Sequence, residues 1–313
     1  MFKLEKEEFK GRDFICMNDF TPEQISYLLD VAAHLKAERK AGISHPILQG
    51  KSLAMIFTKS STRTRVAFEA GIYQLGGQAL FLSDRDIQLG RGEPIADTAR
   101  VLSRMVDGIM IRTFSHQEVL DLAEQATIPV INGLTDLLHP TQVLADLLTI
   151  QEYKGRLNGL KMAYIGDGNN MAHSLMIGAK MGLHVVVASP EGYKPDPEIV
   201  ALAQTGALKN GGLVEVIDNP QKAAREADIL YTDVWTSMGQ EQESAVRLQV
   251  FKNYQINSEL LKLARRDAIV LHCLPAHRGE EITADVFEGP QSVVFDEAEN
   301  RLHAHKAIMA LVM

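Results

Sequence analysis

The sequence predicts an α/β protein built from two doubly wound parallel-sheet domains with an active-site cleft between them. Apolar runs of strand length alternate with helix-period stretches, and the alternation restarts after a long helical stretch near residue 150. At 313 residues the chain also exceeds the roughly 250 to 300 residues at which a single core stops growing. Polar clusters follow the strand candidates one after another, and ligands of open α/β sheets gather outside the carboxyl ends of strands.

Taken in order, Thr21-Pro22-Glu23-Gln24 has the form of a capping box with Pro at the first helical position, opening a helix to about Arg39. Strands are expected at 53–57, 78–82, 108–111 and 129–131, with helices between them. Ser115-His116-Gln117-Glu118 reads as a second capping box. Leu137 to Glu152 forms a long helix, with Pro140 near its start and Val143, Leu147 and Ile150 on one face. Beyond this seam, strands are expected at 162–165, 184–188, 214–217, 229–232, 268–274 and 293–295, and 297–313 closes as a helix. The polar clusters that follow strands span 58–65, 112–113, 132–142, 166–170, 233–239, 272–278 and 296–301.

Composition narrows the function. With 46% hydrophobic residues the chain can bury two cores. The start of the sequence is charged, and no apolar run is long enough to span a bilayer, so a soluble cytoplasmic protein without a membrane partner is expected. Net charge is -8 with dispersed basic residues, which argues against a nucleic-acid partner. Anionic ligands must then be held by local basic geometry. Cys16 and Cys273 are far apart and form no disulfide framework.

The first chemical motif is Phe57-Thr58-Lys59-Ser60-Ser61-Thr62-Arg63-Thr64-Arg65, a strand-to-helix turn. The first N–H groups of a helix lack internal partners and its dipole is positive there, so an anion can accept them. Ser60, Ser61, Thr62 and Thr64 add hydroxyl donors, and Arg63 adds a planar fork suited to phosphate. Ser61 could also be a plain helix cap, but two arginines beside a positive dipole favour a bound anion. No Walker loop is present, because the turn lacks its glycines.

Arg112 ends an apolar strand, where it can serve either an ion pair or a ligand. His139-Pro140-Thr141-Gln142 opens a helix with His139 and Gln142 on one side of its first turn, within reach of one small ligand. A His and an Arg beside a phosphate cradle can polarise a carbonyl. Gly166-Asp167-Gly168-Asn169-Asn170-Met171 suggests a dinucleotide turn, but Met171 stands where the third glycine belongs. Asp233, in Asp233-Val234-Trp235-Thr236-Ser237-Met238-Gly239, is suited to a ligand ammonium group or to a turn cap. A zinc site from His272, Cys273, His277, His303 and His305 is rejected, because strand neighbours face opposite ways and helix residues two apart share no face. No metal and no cofactor are expected.

Ser61-Thr62-Arg63-Thr64, His139-Pro140-Thr141-Gln142, Asp233 to Gly239 and His272-Cys273-Leu274-Pro275 together resemble the aspartate/ornithine carbamoyltransferase family over essentially the whole chain. Ser237-Met238-Gly239 with Cys273 resembles its ornithine branch. The resemblance implies transfer of a carbamoyl group from carbamoyl phosphate to the δ-amine of L-ornithine, giving citrulline, in arginine biosynthesis or the arginine deiminase pathway. It implies Ser61, Thr62, Arg63, Thr64, Arg112, His139, Pro140, Thr141, Gln142, Cys273, Leu274 and Arg301 for carbamoyl phosphate, with Gln88 reaching a neighbouring subunit of a homotrimer. Asn170, Asp233, Ser237 and Met238 are implied for ornithine, and Arg63, Thr64, Arg112, His139, Asp233 and Cys273 for catalysis. Residues 1–150 with the helix 297–313 would be the carbamoyl-phosphate domain and 151–296 the ornithine domain. The Leu274-Pro275 bond is implied to be cis. The competing readings are a nicotinamide-dependent oxidoreductase, a transferase for another amine such as putrescine, and a non-catalytic binding protein.

Overall fold

The computed structural model describes residue 4, residues 6–237 and residues 239–313. The chain divides into two compact units, Met1–Leu148 with Glu299–Met313, and Thr149–Ala298. The first carries helices α1 (Pro22–Lys40), α2 (Thr62–Gln74), α3 (Ile95–Leu102) and α4 (His116–Gln125), and strands β1 (Ser52–Phe57), β2 (Gln78–Ser83), β3 (Gly108–Arg112) and β4 (Val130–Leu134). Helix α5 (Pro140–Lys154) runs across the boundary. In the second unit follow β5 (Lys161–Ile165), α6 (Asn170–Gly178), β6 (His184–Ala188), α7 (Pro197–Leu208), β7 (Leu213–Ile217), α8 (Pro220–Ala224) and β8 (Ile229–Thr232). Then come α9 (Ser244–Val250), α10 (Ser258–Leu261), β9 (Ile269–His272), α11 (Ala284–Phe287) and α12 (Val294–Val312), whose later part returns to the first unit.

Each unit holds one parallel sheet, ordered β2-β1-β3-β4 in the first and β7-β6-β5-β8-β9 in the second. In the first, Ala54, Ile56, Ile109 and Ile111 project from one face and pack with Ala99 of α3 and with Val119 and Leu122 of α4. That is the period of two a strand imposes, and each fully buried large apolar side chain contributes about 1.5 to 3 kcal/mol. Helix α12 crosses α2 at Gly71, where an added Cβ would lie 2.9 Å from Met309 Cε. In the second sheet Ala163, Ile165, Val186, Leu230 and Val270 form the corresponding face, covered by Trp235, Phe251, Leu260 and Val286. Among the described residues no helix is long and apolar enough to cross a membrane.

The α1 capping box forms as expected, with Gln24 N–H donating to Thr21 Oγ1 at 3.2 Å and Thr21 N–H to Gln24 Oε1 at 3.1 Å. Two local expectations fail. Ser115 makes no cap hydrogen bond, because Glu118 is drawn instead to the Thr113 hydroxyl at the end of β3. Residues 293–295 are not a strand: Ser292 makes a single bridge to Val270, Val293 N–H donates to Val270 O at 3.0 Å, and the chain then enters α12. Helix geometry buries Val294 while leaving Phe295 exposed, which an apolar triplet alone does not reveal.

Candidate functional site

In the first unit the turn after β1 is tied to the turn after β3. Thr58 N–H donates to Arg112 O at 3.0 Å, and its hydroxyl to Thr113 Oγ1 at 2.9 Å. Ser61 caps α2 by accepting Thr64 N–H at 3.1 Å. Thr62 is exposed on the first turn, while Thr64 is fully buried and its Oγ1 accepts from Arg301 Nη2 at 2.6 Å and Arg112 Nη1 at 3.4 Å. With both acceptor positions used, the Thr64 proton is left to donate elsewhere.

The two arginines of the turn differ. Arg65 pairs with Glu69 at 3.0 Å and lies over the Phe81 ring at 3.6 Å, an ordinary helix-surface role. Arg63 instead acts with Arg112, Arg301 and His305 on His139. Burial first, and then the guanidiniums of Arg301, Arg112 and Arg63 and any charge on His305, hold the His139 imidazole well below its usual pKa, so it is neutral near pH 7. A neutral imidazole can still donate one N–H into a region of positive potential. Pro140 begins α5, whose first N–H is thus absent by design of the residue. Thr141 Oγ1 lies 3.5 Å from His139 Nδ1, and Gln142 Nε2 donates to Asp146 at 2.9 Å, so the Gln142 amide nitrogen is turned to its own helix. Gln88 is exposed on a short turn after β2 and its side chain makes no hydrogen bond to this group among the described residues. Lys59, absent from the expected set, is buried in an ion pair with Asp136 beside the Phe114 ring.

In the second unit Asp233 leaves the end of β8. Its Oδ1 accepts Val234 N–H at 2.8 Å and the Cys273 thiol at 3.0 Å, and its Oδ2 accepts Asn169 Nδ2 at 2.9 Å. Asn169 also caps α6, accepting Met171 N–H at 2.9 Å and Tyr164 hydroxyl at 3.2 Å through Oδ1. Asn170, the expected ligand residue, is half-buried at the first position of α6. Ser237 N–H donates to Gln240 Oε1 at 3.3 Å; Met238 lies outside the described residues. Leu274 has φ +59°, uncommon for a non-glycine residue, its N–H donates to His272 Nδ1 at 2.9 Å, and the Leu274-Pro275 bond is cis.

Strand alternation does not keep possible zinc ligands apart at the end of β9. Ligand atoms of Asp233, His272 and Cys273 all lie within 4.8 Å of one another, so the opposite-face objection does not hold. The imidazole itself decides the matter. Its Nδ1 accepts from Leu274, so Nε2 carries the proton and donates to Glu281 Oε1 at 3.0 Å, leaving no lone pair for a metal.

Against a dinucleotide, Gly168 fails more decisively than Met171. A Cβ on Gly168 would lie 2.2 Å from Pro195 N, and Gly168 N–H donates to Tyr193 O at 2.8 Å. The close approach that a pyrophosphate needs is taken by the chain's own backbone.

Two further residues lie outside the expected set. Asp167 and Arg247 form a buried ion pair at 2.8 Å, and Arg247 also donates to the Trp235 carbonyl at 2.9 Å. The spacing of Glu243 and Arg247 signals a helix-surface pair, and Asp167 is marked only by its place in the 166–170 cluster, with nothing to name Arg247 as its partner.

Comparison with known proteins gives a consistent picture. Residues 12–152 match the family model described as aspartate/ornithine carbamoyltransferase, carbamoyl-P binding domain, and residues 158–312 that described as the Asp/Orn binding domain. The chain is similar to the ornithine carbamoyltransferase of Symbiobacterium thermophilum, at 63% identity over 97% of this chain and 98% of the relative. It is 59% identical to that of Thermococcus kodakarensis, over 97% and 96%. The solved structure of ornithine carbamoyltransferase from Pyrococcus furiosus superposes with a TM-score of 0.95 at 56% identity, covering 97% of both chains.

Proposed function

The chain belongs to the aspartate/ornithine carbamoyltransferase family, and from that premise we propose that it transfers the carbamoyl group of carbamoyl phosphate to the δ-amine of L-ornithine, releasing L-citrulline and phosphate. The observation that carries the reading is a neutral, buried His139 set among the guanidiniums of Arg63, Arg112 and Arg301. Such a group favours a doubly charged phosphate while keeping an uncharged N–H for a carbonyl oxygen.

The neutral δ-amine adds its lone pair to the carbamoyl carbon. The carbonyl oxygen gains negative charge and is stabilised by Thr64, Arg112 and His139. Collapse breaks the carbon–oxygen bond to phosphate, the amine passes its proton to the departing phosphate oxygen, and Arg63 with Ser61, Thr62 and the α2 turn amides receives the resulting hydrogen phosphate. Pro140, Thr141 and Gln142 shape the His139 turn, and Leu274 and Cys273 complete the carbamoyl-phosphate set. For ornithine, Asp233 and Cys273 face the α-ammonium group, and Asn170 with Ser237 takes the α-carboxylate.

A homotrimer in which Gln88 serves a neighbour is supported by the edge strand β2. There Leu80 and Phe81 are 42% and 37% exposed, and α2 leaves Val66 and Tyr73 56% and 79% exposed. Uncovered apolar residues on a sheet edge call for a partner surface. A cytoplasmic setting fits the reduced thiols of Cys16 and Cys273.

The test is a citrulline and phosphate assay with ornithine, putrescine and aspartate offered in parallel. Citrulline from ornithine is expected, and its absence at saturating carbamoyl phosphate overturns the proposal.

A further inference from the structure

Between Asp233 and α9 the chain passes through Trp235, whose carbonyl is held from below. Arg247, on α9, donates through Nη1 to Asp167 Oδ2 at 2.8 Å and to Trp235 O at 2.9 Å, and through Nε to Glu243 at 3.0 Å. Its guanidinium lies 4.8 Å from the Tyr193 ring centroid. Arg247, Asp167 and Trp235 are all buried. Asp167 follows β5, two residues before Asn169, and Asn169 binds the second carboxylate oxygen of Asp233. One guanidinium therefore joins the turn after β5, which holds Asp233 through Asn169, to the turn after β8, which begins with Asp233.

We infer that Arg247 is a positioning residue for the amine substrate, setting the backbone of Asp233–Ser237 through the Trp235 carbonyl while Asp167 fixes Arg247. The inference rests on the function proposed above but adds a residue that touches no substrate. The planar fork is required, because a lysine ammonium in its place cannot reach three acceptors in fixed directions.

The pair is tuned by its surroundings. Asp167 is faced by Arg247 from α9, by Asp233 from the turn after β8, and by Gly168 N–H from its own turn. Burial, reinforced by the Asp233 charge and opposed by Arg247, raises the Asp167 carboxyl to about 6. Above that pH the pair is ionic; below it Asp167 carries a proton and Arg247 keeps only the Glu243 carboxylate as counter-charge.

Trp235 is the one tryptophan of the sequence, so its emission reads this turn directly, whatever the protein catalyses. In the full-length wild-type protein, titration from pH 8 to pH 5 should move the emission with a midpoint near the Asp167 value of about 6. In Asp167→Asn that transition should vanish, with circular dichroism checking that the variant is folded. In Arg247→Lys the KM for ornithine should rise about 10- to 100-fold while carbamoyl phosphate affinity holds, since a misplacement of about 1 Å can cost that much. A wild-type emission flat through this range, or unchanged ornithine kinetics in Arg247→Lys, overturns the inference. A wild-type protein making no citrulline while its emission titrates as described would instead overturn only the proposed reaction.

Discussion

Arg301 and Thr64 stand 237 positions apart in sequence and are joined by a 2.6 Å hydrogen bond from guanidinium to hydroxyl. Because Arg112 uses the same oxygen, Thr64 is an aligned donor. Thr64→Val should lower kcat by about 100- to 1000-fold, the usual effect of removing one oxyanion donor. It should also cost about 1.5 to 3 kcal/mol of stability, the scale of a hydrogen bond to a charged group. Steady-state kinetics with urea unfolding checks both, and Thr64→Ser should recover most of each.

Arg63 and Arg65 should separate cleanly. Arg63→Ala is expected to abolish carbamoyl phosphate binding by calorimetry, and Arg63→Lys to restore little, since a point charge lacks the bidentate fork. Arg65→Ala removes an exposed pair with Glu69, so its effect on stability should stay below about 1 kcal/mol and its binding should be normal.

His139→Ala should reduce kcat far more than it weakens binding of a phosphate analogue. Acid stability gives a second check. His139 and His305 are held well below the ordinary imidazole value, and His303 is lowered to about 3, burial being the first cause in each. Below pH 6.5 the unfolded chain takes up protons that the folded chain refuses, so stability is lost as pH falls. Each such histidine contributes about 1.4 kcal/mol per pH unit in that window. Urea midpoints at pH 7.5 and pH 5.5 should differ, and the triple dependence should shrink in His303→Gln.

Asp167 has the opposite sign. Its raised carboxyl means that the folded protein gains stability from protonation as pH falls below about 6. The Trp235 turn should therefore loosen in the range where this residue's contribution to global stability increases. In Asp167→Asn, measured in one sample series with the wild type, the emission change should disappear and the stability gained from Asp167 should be lost, leaving the histidine-driven fall in unfolding free energy.

Substrate choice should follow Asp233. Asp233→Asn should keep carbamoyl phosphate binding but lose most ornithine turnover, because an amide attracts the ammonium group less. Putrescine lacks the α-carboxylate and should be poorer than ornithine by up to about 10⁴-fold, since the groups meant for that carboxylate are left unpaired. Equal turnover of the two amines would show that the turn after β8 does not select.

Much of this fold is written in short-range pattern. Ile109 to Ile111 and Val185 to Val187 are apolar without interruption because both faces of these strands are buried, and no exposed alternative competes. The Thr21 box formed because its partners are three residues apart. Ser115 failed at the same spacing, since Thr113, placed by β3, offered Glu118 a nearer partner. The same limit governs the site. Ser61, Arg63 and His139 announce themselves by position at helix starts, and Arg301 was reached through family resemblance. Asn169 stands one position before the expected Asn170, and its place as helix cap is legible in sequence. Arg247 depends on Asp167, 80 residues away, and on a backbone carbonyl that has no sequence signature.

The boundary between the units falls inside α5 and again inside α12, so the first unit is discontinuous and the second is a single stretch. During synthesis Thr149–Ala298 can close its sheet from one unbroken stretch, whereas α2, on the earlier sheet, must wait for α12 to cover it. Gly71 has no Met309 to pack on, Phe68 no His305 at 4.1 Å, and Thr64 no Arg301 until residues 299–313 have left the ribosome. At about 5 to 20 residues per second that delay is roughly 8 to 30 seconds. The half of the protein made first is thus finished last, and for that interval its α2 face is open to chaperones, proteases and sister chains on the same message.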